Sequence, residues 1–222
     1  MATSTVSASM STAAADADVT IVDCGIGNIR SVQRMFEAVD GRAAVADTPA
    51  DIAGCRRLVL PGVGAFDAGM EALRAGGWID ALNRVALEER RPVLGICLGM
   101  QLLCRRSEEG HLAGLGWIEG DVIRIDTGGN SALKIPHMSW AVTRPAKPNP
   151  LLADDAGEQR FYYVHKYRAV CDRAEDVLAS ATYGTEFTAA VHRDNIYGVQ
   201  FHPEKSHRFG KALFQRFLAL PC

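Results

Sequence analysis

One cysteine is placed as a nucleophile would be. In "RPVLGICLGMQLL", residues 91–103, an apolar run stops at Cys97 and a second begins at once, with Gly95 and Gly99 two places to either side. A nucleophile at a sharp strand-to-helix turn is exposed at the carboxyl edge of a sheet, and bulky side chains two residues away would collide with that turn. The free N–H groups of the helix just beyond favour negative charge. A thiol placed there gives up its proton more readily, and the amide of Leu98 would point at an oxyanion formed on the sulfur's target. A buried structural cysteine in a glycine-rich turn would use the same residues, so the catalytic reading needs a proton carrier.

"VQFHPEKS", residues 199–206, supplies one. Pro203 keeps His202 out of a helix. In an extended chain His202 and Glu204, two apart, lean to one face. The carboxylate can then orient the imidazole, and the imidazole can serve the sulfur. A third stretch, "LPGVGAF" at 60–66, also follows an apolar run. Gly62 and Gly64 let its backbone approach a ligand or reorient a peptide at low cost, so an amide here could be a second oxyanion donor. Other chemistries fit less well. "GIGNIR" has Arg30 where a dinucleotide fingerprint needs its third glycine, and no phosphate loop is present. His202, Glu204 and His207 could be written as a metal set, but the P-C-x-x-C half of a zinc deaminase pattern is missing. No metal and no cofactor are expected.

The elements that must hold these residues alternate. "VTIVDCG" reads as a short buried strand. The next segment sets Ile29, Val32, Met35, Phe36 and Val39 on one helical face, with Gly41 as a stop. "RRLVLPGVG" is a second buried strand, broken by proline and glycine, followed by helices over Phe66–Arg74 and Trp78–Glu89. "RPVLGIC" is a third strand, with a helix from Leu98 to Arg106. Strand and helix in alternation predict an α/β fold with a mainly parallel sheet. The second half is β-rich: "GWIEGDVIRI", "LKIPHMSWAVT", "RFYYVHKYRAV" and "VLASATY" carry few helical signals. "FTAAVHRDNIYGVQFHPE" reads as a hairpin turning at Arg193-Asp194-Asn195, and "RFGKALFQRFLAL" closes the chain as an amphipathic helix.

The 222 residues suit one domain with a substantial core. A net charge of −2 offers no basic surplus for nucleic acid or an acidic membrane, and no apolar run approaches a membrane span. Residues 1–18 are small and polar, lack the basic start and apolar stretch of a secretory signal, and are expected to form a disordered tail. That leaves a single domain over 19–220. The six cysteines show no C-x-x-C pair. They suggest reduced thiols in a cytoplasmic enzyme, the five other than Cys97 being small buried or partly buried residues.

The three motifs, in this order, resemble the class I (triad) glutamine amidotransferases. "DCGIGNIRSV", "LPGVGAFDAGM", "GICLGMQLL", "KIPHM", "YYVHKYRA" and "GVQFHPEKS" narrow the resemblance to the branch of glutaminase subunits of imidazole glycerol phosphate synthase, in histidine biosynthesis. It runs from about Val19 to Leu218. It implies a three-layer fold and a mechanism in which Cys97 attacks the side-chain amide of L-glutamine, His202 carries the proton to departing ammonia, and Glu204 holds His202. The amides of Leu98 and Val63, within the Gly62–Gly64 loop, would stabilise the oxyanion. Gln101, Glu109, His165, Lys166 and Tyr167 match positions around the substrate. Asn28, Tyr162 and Lys205 match positions facing a separate (β/α)₈ barrel synthase subunit that receives the ammonia. In that branch glutamine hydrolysis is slow until the barrel binds its own ligand, when a peptide of the PGVG loop turns its N–H towards the oxyanion.

This chain departs from the branch's pattern at four places. Cys24 stands for tyrosine in D-Y-G, Ser139 and Ala141 interrupt H-M-G-W-N, and Lys166 replaces a small hydroxyl residue after the histidine of "VHKY". "GAFDAGM" and "EKSHRFG" also resemble a sister branch, in which a related barrel uses the ammonia to amidate a nucleotide sugar for bacterial surface polysaccharide. That alternative stays open on the sequence.

Overall fold

The short apolar runs become strands buried along their whole length. β1 (Val19–Val22), β3 (Leu58–Gly62), β4 (Val93–Cys97) and β12 (Ile196–Val199) expose no residue, as strands covered on both faces should. The computed structural model describes residues 16–152 and 157–222. With β2 (Ala43–Ala46) at the edge, these strands form the parallel half of a sheet in the order β2-β1-β3-β4-β12. The antiparallel half continues from β12 through β11 (Thr185–Arg193), β10 (Val177–Tyr183), β7 (His137–Pro145) and β8 (Gln159–His165). A second sheet of three strands joins β5 (Arg106–Ser107), β6 (Gly120–Arg124) and β9 (Tyr167–Cys171).

Helices cover both faces of the large sheet. On one side α1 (Ile29–Glu37) packs on α5 (His207–Leu218), with the rings of Phe36 and Phe214 4.3 Å apart. On the other lie α2 (Phe66–Ala75), α3 (Trp78–Asn83) and the five-residue α4 (Leu98–Leu102), which bury Phe66, Met70, Trp78 and Leu82 against Leu58 and Leu60. Each large apolar side chain removed from water in these layers contributes roughly 2 kcal/mol. The result is the three-layer α/β arrangement expected, and among the described residues no helix is long and apolar enough to cross a membrane.

Local geometry departs from the expected boundaries at several points. The helix after Cys97 ends at Leu102, not Arg106: the amides of Leu103 and Cys104 turn back tightly to Met100 and Gln101, and Arg106 joins the small sheet. The helix begun at Trp78 runs on as a π turn over Arg84–Glu88. "RFYYVHKYRAV" is two strands, because the chain leaves the large sheet at His165 and enters the small one at Tyr167, with Lys166 between. Pro61 does not break its strand: pairing with β1 ends at Val59, while pairing with β4 runs on to Gly62. A proline costs no ladder bond on a side that is already unpaired. The hairpin turn shortens to Asp194-Asn195, since Arg193 pairs with Ile196. β2, an alanine-rich run without large side chains, went unforeseen.

Of the expected tail, residues 1–15 lie outside the described residues. Ala17 is buried, and Asp18 accepts hydrogen bonds from Arg42, so these two residues of the expected tail are packed against the chain that follows. Cys222, expected to be at least partly buried, is exposed beyond α5.

Candidate active site

β4 ends at Cys97, whose φ of 54° and ψ of −109° place a non-glycine residue in a sparsely populated region. Such a conformation costs of order 1–3 kcal/mol and persists only where the surroundings enforce it. Here α4 is pressed against the strands it leaves. A Cβ on Gly99 would sit 1.8 Å from the carbonyl oxygen of Leu60 in β3, and one on Gly95 would sit 2.7 Å from that of Gly99. The two glycines flanking the nucleophile are therefore a contact surface between backbones. They force the turn that leaves Sγ at the mouth of the sheet, with Leu98 at the start of α4, where amides lack an intrahelical acceptor.

A cavity of about 440 Å³ opens on this turn. Val63, Gly64, Cys97, Leu98, Gln101, Glu109, His165, Lys166, Tyr167, His202 and Lys205 line it, so eleven residues singled out in the sequence meet in one place. Ala65, Pro136 and Val164 complete the wall. Gly62 lies outside it, at the end of β3 opposite Cys97. Glu204 stands behind His202. Asn28 is exposed at the start of α1, off the cavity, and Tyr162 lies outside it beneath the Lys205 ammonium, 5.9 Å from its ring centre. Lys205, expected to face a partner, thus also borders the cavity.

His202 Nδ1 and Glu204 Oε1 are 2.8 Å apart, and both side chains are almost fully buried. The pairing is made through a tight 3₁₀ turn, Pro203–Lys205, and not along an extended strand. Proline at its first position supplies the required φ and gives up an N–H that would have no partner there. Burial pushes the ring towards its neutral form, but Cys97 and Glu204 together outweigh it and raise His202 to about 9. Its Nε2 is buried without an aligned hydrogen bond, so ring and thiol attract one another while their final alignment is still to be made. A ring this basic can hold the thiol's proton at neutral pH. His207 is no part of this group. Its ring stacks on Trp140, with centres 5.6 Å apart, and among the described residues no cluster of three or more His, Cys, Asp or Glu side chains could hold a metal.

The loop after β3 is not yet aimed at the sulfur. The Val63 amide, expected as second oxyanion donor, instead donates to the Ile26 carbonyl at 2.6 Å. Gly64 follows with φ of +106°, a conformation that glycine adopts without penalty. Glu109 ties down the far end of the same loop by accepting from the Phe66 amide at 2.9 Å, which leaves its second oxygen for the cavity. Lys166 brings an ammonium for which no described residue supplies a counter-ion or acceptor.

Sequence reasoning missed the polar core beneath the pocket. Gln200, fully buried just after β12, approaches Cys97 Sγ with its Nε2 at 3.8 Å. Gln101 Nε2 reaches both Gln200 Oε1 at 3.0 Å and the Tyr167 carbonyl at 3.2 Å. His165 and His137 are linked at 3.1 Å, and the far nitrogen of His137 meets Ser139 at 2.9 Å. Burial pushes both rings down, His137 to about 4 and His165 to about 3, so both are neutral near pH 7. A glutamine inside the otherwise apolar run "IYGVQF" was the available signal.

Comparison with known proteins agrees with this geometry. The family model described as glutamine amidotransferase class-I matches residues 20–220. The chain is 46% identical over 202 residues to the imidazole glycerol phosphate synthase subunit HisH 2 of Pseudomonas aeruginosa, covering 91% of this chain and 99% of that protein. It is 43% identical over 200 residues to the subunit of the same name from Methanococcus maripaludis, with 90% and 98% covered. Among solved structures it resembles PurLQS from Thermotoga maritima, with a TM-score of 0.68 and 21% identity over 90% of this chain and 97% of that one. A likeness at that identity speaks for the fold alone.

Proposed function

The chain belongs to the class I glutamine amidotransferase family, and from that premise we propose that it is the glutaminase subunit of an imidazole glycerol phosphate synthase, serving histidine biosynthesis. The observation that carries the reading is a strained cysteine and a His–Glu pair meeting over one cavity, in a chain with HisH-named relatives above 40% identity. Those relatives also favour histidine biosynthesis over sugar amidation.

The residues permit a balanced reaction. Cys97 Sγ adds to the side-chain amide carbon of L-glutamine, and the thiol proton passes to His202 Nε2. Glu204 holds the opposite ring nitrogen and steadies the imidazolium. The oxyanion meets the Leu98 amide and, once its peptide turns away from Ile26, that of Val63. Collapse expels ammonia, with the proton delivered from His202. Water, activated by the same ring, then splits the thioester to glutamate and restores the thiol. Resting on the Ile26 carbonyl, Val63 keeps the site half-built, which supports slow hydrolysis by the isolated chain.

Around the reacting amide, the free oxygen of Glu109 suits the α-ammonium of glutamine and Lys166 suits its α-carboxylate, since burying either unpaired is costly. Lys166→Met is expected to raise KM for glutamine roughly tenfold and to change kcat much less, as loss of a charge-assisted contact made equally in ground and transition states should. Steady-state kinetics on the activated complex read that split. A kcat loss at unchanged KM would place Lys166 in the chemistry instead.

A (β/α)₈ barrel subunit is the proposed acceptor of the ammonia. The face beside the cavity fits a partner: Met138 is 59% and Trp140 38% exposed on β7, next to Tyr162 and Lys205. Mixing this chain with the barrel subunit and that subunit's ligand should raise glutamine turnover at least tenfold, and Trp140→Ala should weaken the complex by about 2 kcal/mol, the cost of losing a central aromatic anchor. Calorimetric titration and a glutamate assay measure the two. Unchanged turnover with a partner that demonstrably binds would count against the subunit role.

A further inference from the structure

The hydrogen bonds beneath the cavity have only one possible direction. A backbone carbonyl accepts and never donates, so the Tyr167 carbonyl fixes what approaches it. His165 Nδ1, at 2.8 Å, must carry the proton there. Gln101, at 3.2 Å, must present its NH₂. That same NH₂ faces Gln200, whose near atom must therefore be its carbonyl oxygen, 3.0 Å away. The remaining end of Gln200 is then its NH₂, and it lies 3.8 Å from Cys97 Sγ. An amide assignment that would otherwise be a choice is settled by the network.

The geometry points to Gln200 as a positioning residue for the nucleophile: a one-way chain anchored on the Tyr167 carbonyl compels its amide to donate to Cys97 Sγ, which favours the sulfur as thiolate. This rests on the reading of Cys97 as the nucleophile. A thiolate accepts the Gln200 N–H fully. A thiol needs an acceptor for its own hydrogen: the Val164 carbonyl is a distant one at 4.0 Å, and the other, His202 Nε2, is the base that takes the proton and leaves the thiolate. Gln200 is fully buried and donates its backbone N–H to the Ala189 carbonyl, so it cannot swing aside and let the polarity reverse. The neutral state of His165 keeps its Nε2 an acceptor, with His137 as donor, and the arrangement holds down to about pH 4. The other charged or titratable groups around the sulfur are His202 and Glu204 from the 3₁₀ turn, and Glu109, Lys166 and Lys205 around the cavity. None of these reverses the direction in which Gln200 must point.

Gln200→Glu is the most direct test, because it keeps shape and the acceptor for Gln101 but replaces the donor with a carboxylate oxygen. Gln200→Met removes both polar atoms at similar volume and stands in should the first variant fail to fold. Carboxamidomethylation of Cys97 by iodoacetamide in the full chain, followed by peptide mass spectrometry at pH 7 and pH 10, reads the thiolate separately from the other cysteines. Both variants are expected to react roughly tenfold more slowly than the natural chain at pH 7, the scale of one charge-assisted hydrogen bond, and to converge on it at pH 10. Reaction at the natural rate at pH 7 overturns the proposal, as does an equal loss at both pH values, which would mark a packing defect. If Cys97 of the natural chain reacts no faster than the buried cysteines, the nucleophile reading itself falls, and this proposal with it.

Discussion

Cys97→Ala is expected to abolish glutamine hydrolysis, by a factor on the order of 10⁴ or more, as loss of a nucleophile does elsewhere. No other sulfur can substitute. Cys97 is the only cysteine lining the cavity, and burial pushes Cys24 and Cys171 up to about 11 and Cys55 to about 12, which holds them as unreactive thiols. The fold should survive the change. Alanine tolerates the 54° φ no worse than cysteine does, and the backbone contacts that force the turn come from Gly95, Gly99 and Leu60. The exposed face of β7 proposed for docking lies outside the cavity, so a complex carrying the variant should still make its product when ammonium salt replaces glutamine. Coupled assays with each nitrogen source measure the two rates. Normal glutamine use by the variant would remove the nucleophile assignment, and loss of the ammonium-driven rate would mean that the substitution had disturbed the docked complex as well.

What could be read in the sequence was what is encoded locally. The glycines two places either side of Cys97 announce a backbone crossing, because no other residue fits one, and the His-Pro-Glu run announces an oriented imidazole within three residues. Buried strands show as apolar runs because both faces are covered. The features that escaped are products of packing across distance. β2 is an edge strand of small residues, which the ladder with β1 creates. The helix after Cys97 stops at Leu102 because Arg106 is drawn into a sheet whose other strands lie beyond residue 119. Gln200 gains its role only when Tyr167, 33 positions earlier by number, presents a carbonyl to Gln101. The Val63 amide could be named as an oxyanion donor, but no local pattern foretold that it would rest on Ile26. That resting place is set by the packing of the Ile26 segment, 37 positions earlier by number, against the loop.

Gly99→Ala should do to the fold what Cys97→Ala does to the chemistry. The added Cβ would lie 1.8 Å from the Leu60 carbonyl oxygen and 2.9 Å from its carbon, inside atoms of a central strand that is paired on both sides. No rotamer change relieves a clash between two backbones. Either α4 lifts off β3, opening the core around Leu98 and Met100, or β3 shifts and breaks its ladder with β4. The expected cost is about 3 kcal/mol or more, at the upper end of overpacking effects, against a total stability that for such domains is only 5–15 kcal/mol. Gly25→Ala makes the informative control. Gly25, unlike Gly99, has a positive φ, at 83°, and nothing lies within 4 Å of where its Cβ would be, so that variant bears backbone strain alone, about 1 kcal/mol. Chemical denaturation of both variants separates the two causes. Comparable midpoints would show that the close crossing of α4 over β3 can relax. A far larger loss for Gly99 would show that the crossing fixes the nucleophile's position, since the same close approach of backbones that leaves no room for a methyl group also holds Cys97 out of an ordinary strand conformation.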